Sequence, residues 1–251
     1  MNQSEKARHF KSLHVPGKPV ALYNIWDAGG AKALAKAGAA AIATGSWSVA
    51  AAHGYRDGEQ IPLDFVVGIA GRIAQSVDLP LTVDFEGGYA ADPETLTANV
   101  RRILSAGAVG INFEDQIVGG DGLYPISEQV ERIRAVRRAG ELEAVPLFLN
   151  ARTDLFLKAD ATGHADLIEA ALERGRAFAE AGADGFFVPG LAQPELIERV
   201  CRESSLPVNV MMRGELQRID QVAGLGVARA SYGPGPYFAA LEDLTRRFGE
   251  I

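Results

Sequence analysis

The chain of 251 residues carries 25 Lys and Arg against 32 Asp and Glu, a formal charge of −7, and an acidic protein of this kind makes a poor nucleic-acid partner. With 47% hydrophobic residues it can bury a large core, yet no apolar run approaches the roughly 18 residues that span a bilayer. The opening MNQSEKARHF has no apolar signal core and the single Cys201 cannot form an internal disulfide, so a cytoplasmic protein is expected.

In chain order, a short apolar run over 20–25 ends in NIWDAGG and leads into a helical pattern over 28–37. Ala37-Gly38-Ala39 closes that pattern before the run AAIAT, and the polar stretch TGSWSVAAAHGYRDGE follows as a long loop. A helix over 63–77 precedes a strand over 79–84. Asp92-Pro93 opens a helix over 93–106, because Asp caps and Pro suits the first helical turn. Strand and helix then alternate: VGINFE, helix 127–139, strand 145–152, helix 166–181, DGFFVPG, helix 194–203, strand 206–211, helix 216–223 and ARASY. A last amphipathic helix over 236–248, within a tail of 236–249, places Phe238, Leu241, Leu244 and Phe248 on one side.

Gly38, Gly107, Gly182 and Gly226 each stand between a helical pattern and an apolar run, where a left-handed residue ends the helix. The strands are apolar throughout, as in a parallel sheet buried on both faces. Eight alternations predict a single α/β domain, 1–251, folded as a (β/α)8 TIM barrel. An open doubly wound sheet satisfies the same alternation, but Gly29-Gly30 lacks the spacing of a dinucleotide-binding turn.

In a barrel, the ends of the strands share one functional rim. Those ends bring Trp26 and Asp27, then Ser46, Trp47, Ser48, Tyr55 and Asp57, then Asp84, Glu86, Glu114, Asp115, Arg152, Asp154 and Asn209. Asp84 and Glu86, two apart on an extended segment, are expected to point the same way, with Glu114 on the neighbouring strand. Three converging carboxylates suit a hard cation, Mg²⁺ or Mn²⁺; capping of helices or pairing with Arg152 is the bland alternative. Arg152 fits a substrate carboxylate or an internal salt bridge to Glu114 or Asp154. Backbone N–H groups of the Ser46–Ser48 turn resemble an anion cradle.

The runs NIWDAGGAKALAKAG, TGSWSVAAAHGYRDGE, VDFEGGYA, GINFED and LNARTD, in this order over most of 20–232, resemble the isocitrate lyase and phosphoenolpyruvate mutase superfamily. The resemblance implies a (β/α)8 barrel, a homo-oligomer (dimer or tetramer) whose last helix can exchange between subunits, and chemistry on 2-oxo acids through a Mg²⁺-stabilised enolate. It assigns Asp84 as the principal metal carboxylate, with Glu86 and Glu114 as the second and third acids. Glu86 stands where Asp is commoner, which implies a water-mediated metal contact at an altered distance. It places Asp57 near the metal's water shell, Trp26, Ser46, Trp47 and Ser48 around the oxo acid, and Arg152 on the substrate.

The lyase Lys-Lys-Cys-Gly-His motif is absent, since the corresponding stretch reads QIVGGDGLYPIS. Thiol-assisted isocitrate cleavage therefore loses support, and so does phosphonyl chemistry, whose Lys and Asn contacts are also missing. The leading expectation is a Mg²⁺-dependent lyase or decarboxylase of a small 2-oxo acid or related dicarboxylate, with Arg152 orienting a carboxylate, Asn209 on the substrate, and Tyr55 or an Asp57-held water delivering a proton. A phosphonopyruvate-type mutase or hydrolase and a non-catalytic oxo-acid-binding relative are the alternatives. No lysine ends a strand, which argues against a Schiff-base aldolase.

Overall fold

The computed structural model describes residues 1–251 and contains eight parallel strands. They are β1 (Val20–Leu22), β2 (Ile42–Ala43), β3 (Leu81–Asp84), β4 (Gly110–Glu114), β5 (Phe148–Arg152), β6 (Gly185–Phe187), β7 (Val208–Met211) and β8 (Arg229–Ser231). The ladder runs β1-β8-β7-β6-β5-β4-β3-β2. A parallel bridge between Ile25 and Thr44 joins its two ends and closes the barrel, so the open-sheet topology is excluded.

Ten helices surround the strands: α1 (Gln3–Ser12), α2 (Ala28–Lys36), α3 (Ser46–Ala52), α4 (Leu63–Ser76), α5 (Pro93–Ser105), α6 (Ile126–Leu142), α7 (His164–Glu180), α8 (Pro194–Glu203), α9 (Ile219–Ala223) and α10 (Gly235–Phe248). Gly38, Gly107, Gly182 and Gly226 all have positive φ, between 88° and 108°. These glycines end helices in the left-handed conformation that their spacing predicts.

Three helices depart from the sequence reading. α1 has only Ala7 and Phe10 buried, too sparse a pattern to show periodicity; a capping box between Asn2 and Glu5 starts it. Its Phe10 packs edge-on to Phe148 at 5.4 Å and to His14 at 4.8 Å, against the start of β5. α3 folds inside the stretch expected as a loop, because Ser48, Val49 and Ala50 bury against the core. α9 begins three residues later than the pattern suggests.

The barrel interior is partly polar. Asn112, Asn150, Asn209 and Arg229 are each at least 96% buried there, where branched apolar side chains normally fill the space. Gly185 makes room for this group, since a Cβ on it would lie 2.7 Å from Asn150 Oδ1. At the other extreme, every residue from Phe238 to Ile251 is exposed. α10 therefore leaves its apolar face, with Phe248 at 75% exposure, uncovered by its own barrel. No helix is long and apolar enough to cross a membrane.

Candidate active site

A cavity of about 160 Å³ opens where the strands end. β3 brings Asp84, β4 Asn112 and β5 Arg152, while Gly45, Ser46 and Trp47 enter from the start of α3 and Asp57 from the loop beyond it. Asp84 is the best-held acid of the group. Its Oδ2 accepts from the Ser46 N–H at 3.2 Å and from Ser46 Oγ at 3.1 Å, and its Oδ1 accepts weakly from Asn112 Nδ2 at 3.4 Å. The next two amides of α3, Trp47 and Ser48, find no acceptor in the protein. They are unsatisfied first-turn donors, as an anion cradle requires.

Arg152 answers both readings of it. Its Nε and Nη2 donate to the two oxygens of Asp154 at 2.5 and 3.0 Å, its Nη1 lies 3.1 Å from Glu114 Oε2, and Asp84 Oδ1 is 4.0 Å away. The internal salt bridge is thus formed, yet the same guanidinium lines the cavity. Burial alone would lower its pKa, but Glu114, Asp154 and Asp84 outweigh that and hold it well above the ordinary arginine value. Asp115, fully buried, supports this arrangement from behind, accepting from the Asp154 N–H and from Arg174 Nη1, each at 3.0 Å.

Asp84, Glu86 and Glu114 feel one another's charge but form no direct three-ligand cluster. No group of three or more His, Cys, Asp or Glu side chains lies within metal-ligand proximity. Glu86 has φ 48°, so the alternation expected to carry it alongside Asp84 ends at the strand terminus. Its Oε2 instead accepts from the Glu59 N–H at 2.9 Å. Glu86 and Glu114 are buried and do not line this cavity, but Glu86 lines a narrow adjoining pocket together with Ser46 and Asp84. Burial, reinforced by Asp57, Glu114 and Asp84, pushes Glu86 up to about 9. Burial also raises Glu114, against the pull of Arg152 and with the push of Asp154, Asp84 and Asp57. Asp57 faces solvent on one edge, and loss of water on its inner edge, followed by the charge of Asp84, raises it as well.

The structure separates other expected contacts from the cavity. Trp26 packs edge-on to Tyr237 at 4.9 Å and is not part of the wall. Tyr55 points outward, 38% exposed, with its ring 6.3 Å from Phe65. The Ser48 side chain is buried within α3, leaving only its amide for a ligand. Asn209 lies inside the barrel with neither side-chain atom bonded, and Met211, two residues on, takes the place at the wall.

Sequence reasoning passed over several residues. Asn24 lines the cavity, donates to Thr44 O at 2.7 Å and accepts from the Tyr232 and Gly233 amides at 2.9 Å, tying together the ends of β1, β2 and β8. Arg229 reaches across the barrel, and its Nη2 donates to Asn112 Oδ1 at 3.0 Å. A guanidinium can only donate, so the amide oxygen of Asn112 must face it, which leaves Asn112 Nδ2 for Asp84. Asn112 within GINFE and Arg229 within ARASY were the available signals for this relay.

The sequence profile described as phosphoenolpyruvate phosphomutase matches residues 10–251. A crystal structure from Burkholderia cenocepacia J2315, provisionally named a phosphonomutase, superposes with a TM-score of 0.96 and 45% identity over 99% of both chains. An uncharacterised protein of Mycobacterium tuberculosis (strain H37Rv) is 32% identical over 92% of this chain and 84% of its own length. The oxaloacetate decarboxylase of Pseudomonas fluorescens (strain SBW25) is 29% identical over 72% of this chain and 62% of its own. 2-Methylisocitrate lyases and a phosphoenolpyruvate phosphomutase match at 26 to 29% identity. The chain belongs to the phosphoenolpyruvate phosphomutase family, within the isocitrate lyase and phosphoenolpyruvate mutase superfamily, whose named members are lyases, mutases and decarboxylases.

Proposed function

We propose that this protein is a carbon–carbon lyase or decarboxylase that acts on a small 2-oxo acid or related dicarboxylate through an enolate-like intermediate, with Mg²⁺ or Mn²⁺ as cofactor. The observation that carries the reading is Asp84, oriented by Ser46 and Asn112 toward a cavity whose other acid is Asp57. An all-oxygen donor set with one well-fixed carboxylate fits a hydrated hard dication better than a cation stripped of water. In this reading Asp84 would hold the ion, with Asp57, Glu86 and Glu114 as the further acids toward its bound water. When bound, the ion supplies Lewis-acid stabilisation of the oxyanion that forms as a bond to C3 breaks.

The chain's own groups supply the rest. The Trp47 and Ser48 amides receive the substrate carboxylate, Arg152 offers its remaining N–H groups to the oxo-acid oxygens, and Trp47 shields the site from water. Asp57 stands where it can take or return a proton. The uncovered face of α10 is proposed to dock on a neighbouring subunit. A cytoplasmic location agrees with the absence of a membrane-spanning helix.

Steady-state assays against oxaloacetate and related 2-oxo acids test the reading. Turnover is expected with Mg²⁺, lost in EDTA and restored by excess Mg²⁺. Turnover that persists unchanged in EDTA contradicts it, and tight oxalate binding with no turnover of any oxo acid favours a binding relative instead.

A further inference from the structure

Four residues other than glycine have positive φ, and three of them, Glu59 (58°), Glu86 (48°) and Tyr89 (59°), are bonded to one another. A left-handed backbone is costly for such side chains and persists only where the surroundings impose it. Glu86 Oε2 accepts from the Glu59 N–H at 2.9 Å, and Glu59 Oε1 accepts from the Tyr89 N–H at 2.8 Å. This lock joins the turn after β3 to the loop that carries Asp57, two residues before Glu59, to the cavity wall. From residue 56 to residue 60 no backbone group bonds to another backbone group, so the amide and carboxylate of Glu59 anchor this stretch to the barrel.

The turn itself is held from the outer helices. Arg132 of α6 donates through Nη2 to Gly87 O at 2.6 Å and to Ala90 O at 3.1 Å. Asn99 of α5 donates through Nδ2 to Gly88 O at 3.0 Å and to Tyr89 O at 3.2 Å. Four consecutive carbonyls are thus satisfied by two buried side chains, each through one nitrogen with two hydrogens. Arg132 is fixed in turn by Gln129 Oε1, which accepts from its Nη1 at 2.8 Å, and by the Tyr124 ring, 4.0 Å from the guanidinium carbon. Gln129 Nε2 donates to Glu114 O at 3.1 Å, which ties the clamp to the end of β4.

We infer that Arg132 and Asn99 are positioning residues for Asp57: by gripping the carbonyls of residues 87–90 they keep Glu86 and Tyr89 left-handed, and these two hold Glu59. With either pair of donors removed, the turn relaxes toward negative φ, the Glu59 contacts open, and Asp57 loses its place at the cavity. The inference rests on the 2-oxo acid reading above, in which Asp57 takes or returns a proton, and adds to it two side chains on the outer helices.

Amide hydrogen exchange of the metal-free full chain, paired with steady-state turnover of the oxo acid in Mg²⁺, tests this in R132K and N99A. Lysine keeps the charge of Arg132 but not its planar fork, and N99A removes the second pair of donors. Relative to the amides of β4, those of Glu59 and Tyr89 are expected to exchange at least about tenfold faster in both variants. A displaced proton-transfer group is expected to lower kcat at least about tenfold and to change KM less than about twofold. I133V, at a buried α6 position next to Arg132, is the control for stability alone and is expected to leave the exchange ratio and kcat as they are. An unaltered exchange ratio in both variants overturns the clamp. Faster exchange with unaltered kcat, or the same changes in I133V, overturns the positioning role and leaves the 2-oxo acid reading intact. A native chain that turns over no oxo acid overturns that reading and the positioning role with it, so the two failures are told apart in the native chain.

Discussion

Arg152 and Arg229 are both buried in this barrel, in surroundings of opposite kind. Arg152, at the strand ends, is ringed by Asp154, Glu114 and Asp84 and is held protonated. Arg229, in the interior, touches only Asn112 and the Ser231 hydroxyl, leaves Nη1 without a partner, and is lowered by burial to about 9 despite the distant pull of Asp84. The rim has more acid than its cation can neutralise, and the interior has a cation without an acid. The excess acid at the rim calls for an added cation, whereas the interior arginine acts by orienting a neutral amide. Asn112 links the two regions, accepting from Arg229 and Asn150 and donating to Asp84.

The comparison breaks most severely at Asp84. D84N keeps the shape but removes the rim's central charge, and turnover is expected to fall by at least about a thousandfold with loss of Mg²⁺ binding by calorimetry, as when a principal electrostatic group is removed. An unchanged metal affinity would remove Asp84 from the ion. R152M comes next, since it strands the carboxylates of Glu114 and Asp154; stripping one partner from a buried pair costs about 3–5 kcal/mol, measurable by urea unfolding.

His14 gives a pH-dependent test from the closed end of the barrel. Burial, then the charge of Arg229, lowers it from 6.5 to about 3, opposed by its hydrogen bond to Phe10 O. Its folded pKa lies below its unfolded value, so the unfolded chain binds the extra proton, and stability falls as pH drops from 6.5 toward 3. The loss approaches about 1.4 kcal/mol per pH unit. Unfolding curves of the native chain and of H14F between pH 7 and 4.5 should diverge by that slope, with the native chain the more acid-sensitive. Parallel curves would mean that His14 is protonated in place.

R229M is expected to have the smallest effect on stability, within about 1 kcal/mol or slightly stabilising, because it exchanges an under-paired buried charge for an apolar side chain of similar length. Its consequence belongs in catalysis, where a freed Asn112 amide should lower kcat more than it raises KM. A large loss of stability would show that the interior network holds the barrel together.

The fold was legible because one local solution repeats. Gly38, Gly107, Gly182 and Gly226 end helices before buried strands, and eight such units leave few topologies. α1 was hidden because its two buried residues make no stripe, and α3 because Gly-Ser-Trp-Ser reads as a turn until its Ala-rich continuation packs. At the site, Ser46, Trp47, Asp57, Asp84 and Arg152 reach the cavity from positions that the strand ends mark. Glu86 left the expected line because a left-handed residue breaks the two-residue alternation, and Asn209 because its side chain stops short of the rim that Met211 reaches.

Oxalate titrated into the native chain and D84N, each with Mg²⁺ and again in EDTA, tests the central claim most directly. The account predicts saturable binding to the native chain with Mg²⁺ and none in the other three conditions. Equal oxalate affinity in EDTA, or in D84N, would contradict a site built on a carboxylate-held cation.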